Sequence, residues 1–226
     1  MERIDLICMW IAELIPLSAT MFAFIFGLYK FFKRGVPLFL QSITMAMGCH
    51  SLGTIYHLCL ILTNKTVFEG FTPAYLGRIG FFLFFIAASY GQMDRIIDDG
   101  SPAVRPSRYI ALIAPVCAAL LYLPNVGIRT ISLSTKISVF LVWLPAMVSV
   151  YYNLKHAIIP DCDFGFIKAI KPYNILAVAL GFAELFRLTA WNSLHNALLV
   201  ITSIVFAALC VAMMVAAKKG AEKWMM

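Results

Sequence analysis

Residues 198–217 read LLVITSIVFAALCVAMMVAA, twenty positions without one charged side chain, closed by Lys218 and Lys219. An α-helix rises about 1.5 Å per residue, so a run of this length covers the roughly 30 Å hydrocarbon core of a bilayer. A helix apolar on all sides has no stripe to turn toward water, and lipid is its natural solvent. Six further segments repeat the pattern, giving seven: 7–29, 38–62, 74–93, 109–124, 132–152, 173–190 and 196–217. Pro37, Pro73 and Pro172 are read as opening the second, third and sixth, where a missing N–H costs nothing. Asp98-Asp99-Gly100-Ser101-Pro102 and Pro160-Asp161-Cys162-Asp163 are loop sequence. The fourth segment is the shortest. Pro16, Pro115 and Pro145 fall inside the first, fourth and fifth segments and predict kinks there.

Composition agrees with the segment count. The chain is 62% hydrophobic and 13% charged, about half the charge of a soluble domain. So much apolar surface exposed to water would aggregate, which makes one seven-helix transmembrane domain over 1–226 the expected all-α fold. The start, Met1-Glu2-Arg3-Ile4-Asp5, lacks a basic n-region, so the first segment is expected to be a resident helix and not a cleaved leader. Net charge is +7, but the basic residues are scattered in short loops beside apolar runs, where orientation and anionic lipid account for them and nucleic acid does not. Cys8, Cys49, Cys59, Cys117 and Cys210 sit in apolar runs and Cys162 in a loop, without CxxC spacing, as free thiols packed like small hydrophobes.

Lysine and arginine set the orientation, since cytoplasmic loops carry the excess. Lys30, Lys33 and Arg34, then Arg95, Arg105 and Arg108, then Lys155, Lys168 and Lys171, and finally Lys218, Lys219 and Lys223 put twelve of eighteen basic residues at one set of alternate ends. The other set holds Arg3, Lys65 and Arg129. An even number of helices would spoil this alternation. The expectation is an N-terminus outside and a C-terminus in the cytoplasm, in the plasma (inner) membrane.

Ionisable side chains at membrane depth are costly and face a bundle interior or a cavity, which makes them site candidates. Glu13, His50, His57, Arg78, Lys136, Glu184 and Arg187 lie within predicted spans. With that orientation His50 is near mid-depth and the others fall in the outer half, while the inner half offers almost none. Carboxylates and cations together suit a polar or zwitterionic ligand in a cavity open to the outside. The bland alternatives are that Arg78 and Lys136 snorkel to headgroups and that Glu184 and Arg187, three apart, simply pair. Ala46, His50, Gly53 and His57 form one face of small residues and imidazoles, with Arg78, Phe82, Phe85, Ser89 and Gln92 on the next helix and Ala177, Gly181, Glu184 and Leu188 on the sixth. Trp143 and Trp191 offer aromatic walls. Neutralising Glu184 is predicted to remove ligand binding and leave the fold intact.

Several chemistries are disfavoured. Helix number and orientation resemble the rhodopsins, but the last segment holds no lysine for a retinal Schiff base. Ser51-Leu52-Gly53-Thr54-Ile55-Tyr56-His57 resembles the second-helix element of membrane hydrolases of the progestin-receptor and ceramidase type. That resemblance implies zinc, yet only His195 stands near the seventh segment, Leu199 occupies the place of a second ligand, and Asp94 lies at the far end. His50 and His57 are about 10 Å apart along one helix and cannot clamp one haem iron; His57 with His195 remains the minor haem or quinone redox pairing. No catalytic residue, metal ligand or cofactor is assigned, and the balance falls against an enzyme. Asp94, Asp98, Asp99, Asp161 and Asp163 are read as solvated loop charges, and Asn64-Lys65-Thr66 matches a glycosylation sequon.

The expected function is a receptor or sensor module that binds a small polar ligand among the seven ionisable residues and signals to a separate cytoplasmic partner or through a homo-oligomer. In architecture alone it resembles the seven-helix input modules of bacterial sensor kinases. A small-molecule transporter, or a substrate-binding membrane subunit, is the alternative. Inverted repeats or broken helices would favour it, and neither is visible.

Overall fold

The computed structural model describes residues 3–63, 70–94, 97–98, 100–128, 130–160, 166–193 and 196–225. Among them no strand occurs, and seven helical stretches are long and apolar enough to cross a membrane. Helix α1 covers Arg3–Phe31 and α2 Leu38–Leu62. Helix α3, Pro73–Ala88, runs on into a π-helical turn at Ser89–Asp94. The fourth span is built from α4, Arg105–Ala111, and α5, Ile113–Tyr122, followed by a second π turn at Leu123–Gly127. Helices α6, Leu133–Ile158, α7, Phe166–Ser193, and α8, Asn196–Met225, complete the bundle.

The prolines act unequally. Pro16 and Pro145 are accommodated within unbroken helices. Only the fourth span breaks, at Leu112, beside the Ala111 carbonyl that Pro115 can neither bond nor approach. Pro124 similarly widens the end of that span, where the Ile128 N–H reaches the Leu123 carbonyl at 2.9 Å. Pro172, read as opening the sixth span, instead lies inside α7, which begins at Phe166.

Neighbours pack in the cyclic order α1, α2, α3, α6, α7, α8 and back to α1, with the fourth span outside against α6. Trp143 Nε1 fastens that outlier by donating to the Ala118 carbonyl at 2.8 Å. The polarity is inverted relative to a soluble protein: Ile25, Leu52, Leu120 and Ile201 are 60, 67, 62 and 58% exposed, while Glu13, His50 and Glu184 are 0% exposed. Lipid accommodates such an exterior, and the charged interior must then be satisfied from within.

Candidate functional site

The close contact of α2 and α3 brings the site together. Gly53 and Gly77 stand backbone to backbone: a Cβ on Gly77 would lie 2.5 Å from the Gly53 Cα and 2.6 Å from the Cys49 carbonyl oxygen. With no side chain between them, α2 carries His50 and His57 to either side of the contact while Arg78 follows directly after it. Helices α1 and α7, on other sides of the ring, supply the carboxylates and a second guanidinium.

Six of the seven residues singled out from the sequence converge. Glu184 accepts from Arg78 Nε at 2.9 Å and from Arg187 Nε at 2.8 Å, with Arg187 Nη2 at 3.3 Å. Arg187 Nη1 reaches across to Glu13 at 2.9 Å, and Arg78 Nη2 lies 3.7 Å from the same oxygen. Each carboxylate also faces one imidazole: His50 Nε2 is 3.5 Å from Glu184, and His57 Nδ1 is 3.3 Å from Glu13. The Thr54 hydroxyl donates to the His50 carbonyl at 2.9 Å and lies 3.3 Å from His50 Nδ1. All six are at most 6% exposed. Arg78 therefore does not snorkel. Glu184 and Arg187 do pair with each other, and both also bond groups on other helices.

Two carboxylates and two guanidiniums balance, so the centre is neutral whenever both imidazoles are. Arg187 is the bridge, the one group hydrogen-bonded to both carboxylates among the described residues, with Arg78 hydrogen-bonded to Glu184 and in looser ion-pair contact with Glu13. Among the described residues, Glu13 keeps one oxygen, Oε2, buried and without a hydrogen-bond partner. Phe206 of α8 forms the wall: it stacks on His50 at 4.7 Å and lies under the Arg187 guanidinium at 5.7 Å, while Phe81 meets His50 edge-on at 5.2 Å. Neither phenylalanine was singled out from the sequence, where each is one aromatic residue in an apolar run. Trp143, expected as a wall, serves the fourth span instead; the Trp191 side chain, His195 and Asn64-Lys65-Thr66 lie outside the described residues.

Lys136 does not join the cluster. Its Nζ donates to the Gly127 carbonyl at 2.8 Å, closing the π turn at the end of the fourth span. One turn into α6, the amine folds back onto the preceding loop, where a free carbonyl satisfies it without crossing the bundle.

A second set of charges stands at the other end, where the sequence reading has loop charges but almost no ionisable residue within a span. Lys155 pairs with Asp94 and, at 2.8 Å, with Asp98; His156 Nε2 is 2.9 Å from Asp94. Arg108 grips Asp98 through Nη2 at 2.6 Å and Nε at 2.8 Å. Arg108, together with Lys155, holds the Asp98 carboxyl well below the usual carboxylate range. Asp94 and Asp98 are thus ion-pair partners and not solvated loop charges. Lys155 was read as a loop charge and His156 was not singled out, because the apolar run ends near Tyr152, whereas α6 continues to Ile158 and keeps both side chains inside. Asp99, Asp161 and Asp163 lie outside the described residues.

Among the described residues no three His, Cys, Asp or Glu side chains are grouped to hold a metal ion. Compared with known proteins, the chain matches no protein-family model, no curated protein and no solved structure.

Proposed function

We propose that this chain is an integral membrane receptor or sensor module, with its N-terminus outside and its C-terminus in the cytoplasm of the plasma (inner) membrane. It takes a small zwitterionic ligand into its polar centre and reports to a cytoplasmic partner. The lysine and arginine count supports the orientation. The observation that carries the functional reading is the interlocked set Glu13, His50, His57, Arg78, Glu184 and Arg187, drawn from four spans and buried where ionisable groups are retained for function. A ligand bearing an ammonium and a carboxylate can exchange with these pairs without changing net charge. Its ammonium suits Glu13 Oε2, and its carboxylate suits the arginine forks.

Helix α3 suits the role of transmitter, because it carries Arg78 of this cluster and Asp94 of the opposite one, with a π-helical turn leading to Asp94. π turns are rare and gather at functional positions. A ligand that draws on Arg78 biases the helix between two seatings, and the partner reads the end at Asp94. The broken fourth span does not favour transport: its break lies at the edge of the bundle, whereas transporters place discontinuous helices at the substrate site.

The test is thermal stabilisation of the detergent-purified protein by millimolar amino acids and betaines, with native mass spectrometry for co-purified small molecules. A ligand at one hundred times its Kd should stabilise the fold by about 2.7 kcal/mol. Glu13→Gln, assayed at a temperature where circular dichroism shows it folded, should weaken that ligand at least ten-fold. Absence of any stabilising compound and any co-purified mass, or an unchanged affinity in Glu13→Gln, would remove the reading.

A further inference from the structure

A separate polar feature lies on the fourth span, outside the ring. Arg105, Arg108, Tyr109, Leu112 and Tyr151 line one cavity of about 280 Å³ between the start of that span and the end of α6. Two guanidiniums and two phenols meet there with no carboxylate in the lining. Arg108 spends Nε and Nη2 on Asp98, leaving Nη1 over, and Asp98 is itself shared with Lys155. Arg105 is exposed and has no ion-pair partner among the described residues. The cavity therefore carries uncompensated positive charge.

Its apolar side continues along the helix. Leu112, on the cavity wall, is followed at four-residue spacing by Val116 and Leu120, and the three are 48, 53 and 62% exposed. Residues four apart share a helix face, so they make one stripe running from the basic cavity toward the middle of the span.

We infer that this cavity holds the phosphate of an anionic phospholipid, with an acyl chain along Leu112, Val116 and Leu120. Guanidinium forks bind phosphate oxygens with several parallel N–H bonds, and phenols add donors at headgroup depth. Basic pockets beside membrane helices select acidic headgroups for this reason. The stripe favours lipid over a soluble phosphate ester, which would have no use for it. This assignment needs membrane insertion but is independent of the receptor reading, because none of its residues belongs to the central cluster.

The experiment is native mass spectrometry of the whole protein in neutral detergent micelles doped with phosphatidylglycerol or phosphatidylcholine. Phosphatidylglycerol adducts should exceed phosphatidylcholine adducts at least five-fold. Arg105→Gln should reduce that preference about five-fold, the worth of one arginine against an anionic headgroup. Among the described residues the exposed Arg105 side chain makes no hydrogen bond or ion pair, so the variant keeps the fold, as its melting curve in phosphatidylcholine should verify. Arg105→Gln/Tyr109→Phe should reduce the preference further. Equal adducts of the two lipids, or an undiminished preference in Arg105→Gln, overturns the site. Saturable binding of glycerol 3-phosphate with the same dependence on Arg105 would overturn the lipid assignment in favour of a soluble ester.

Discussion

Replacing Glu184 by glutamine tests whether the central cluster holds the fold together. The carboxylate accepts guanidinium N–H groups at 2.8, 2.9 and 3.3 Å and faces His50 at 3.5 Å, wholly buried. Glutamine keeps one accepting oxygen but removes the charge and turns an NH₂ toward donors. Arg78 and Arg187 are then left with Glu13 alone, one positive charge in excess in a sealed centre. Breaking a buried ion pair from one side costs about 3–5 kcal/mol. For a chain of this size that corresponds to a fall in Tm of roughly 6–20 °C. Glu184→Gln is therefore expected to damage the fold, contrary to what the sequence predicts, and ligand binding by this variant would be confounded with stability. The assay is far-UV circular dichroism melting in detergent, run beside Glu184→Gln/Arg187→Met, in which charge is balanced again. The double variant should recover at least about 1 kcal/mol, within the coupling of directly bonded residues. A single variant melting within about 2 °C of the wild type, or a double variant no better than the single, would refute the claim that these charges are mutually compensating.

Gly77→Ala should cost about 2 kcal/mol or more, because its methyl meets the Gly53 Cα at 2.5 Å and the Cys49 carbonyl oxygen at 2.6 Å, and backbone cannot step aside as a flexible side chain can; a melting curve like that of the wild type would mean α2 and α3 are not in backbone contact. Trp143→Phe should lose about 1 kcal/mol with the Trp143–Ala118 hydrogen bond that joins α6 to the fourth span, and hydrogen exchange should rise selectively in that span. Acid titration addresses the opposite cluster. The native pKa of Asp98 is depressed by Arg108 and Lys155, so its stabilisation is complete above the ordinary aspartate value of about 4 and is lost as pH falls toward the depressed native value. Wild type and Asp98→Asn should accordingly differ in Tm at neutral pH and converge under strong acid, and a difference that grows on acidification would contradict the pairing.

Membership of the central cluster was largely legible in the sequence because depth is a linear property: counting residues from the ends of an apolar run places Glu13, His57, Arg78, Glu184 and Arg187 at similar heights. Direction around the helix and the reach of a side chain are not linear. Lys136 has the right height, yet its flexible stem finds the Gly127 carbonyl first. Phe206 carries no charge to flag it, although its ring stacks on His50. Asp94, Lys155 and His156 lie where hydropathy falls, and only the continuation of α6 to Ile158 brings Lys155 and His156 inward to meet Asp94 at the end of the π turn.

From the sequence alone came the seven apolar spans, their approximate bounds and the list of ionisable groups within them, since hydrophobic length and residue identity are local quantities that any fold must respect. The tertiary structure decided the pairing. It set Arg187 between two carboxylates from different helices, left Glu13 Oε2 without a partner, moved the fourth span outside the ring and joined Asp98 to both Arg108 and Lys155. Ion pairs depend on separations of a few ångströms between residues as far apart in sequence as Glu13 and Arg187, and such separations exist only once the helices have packed.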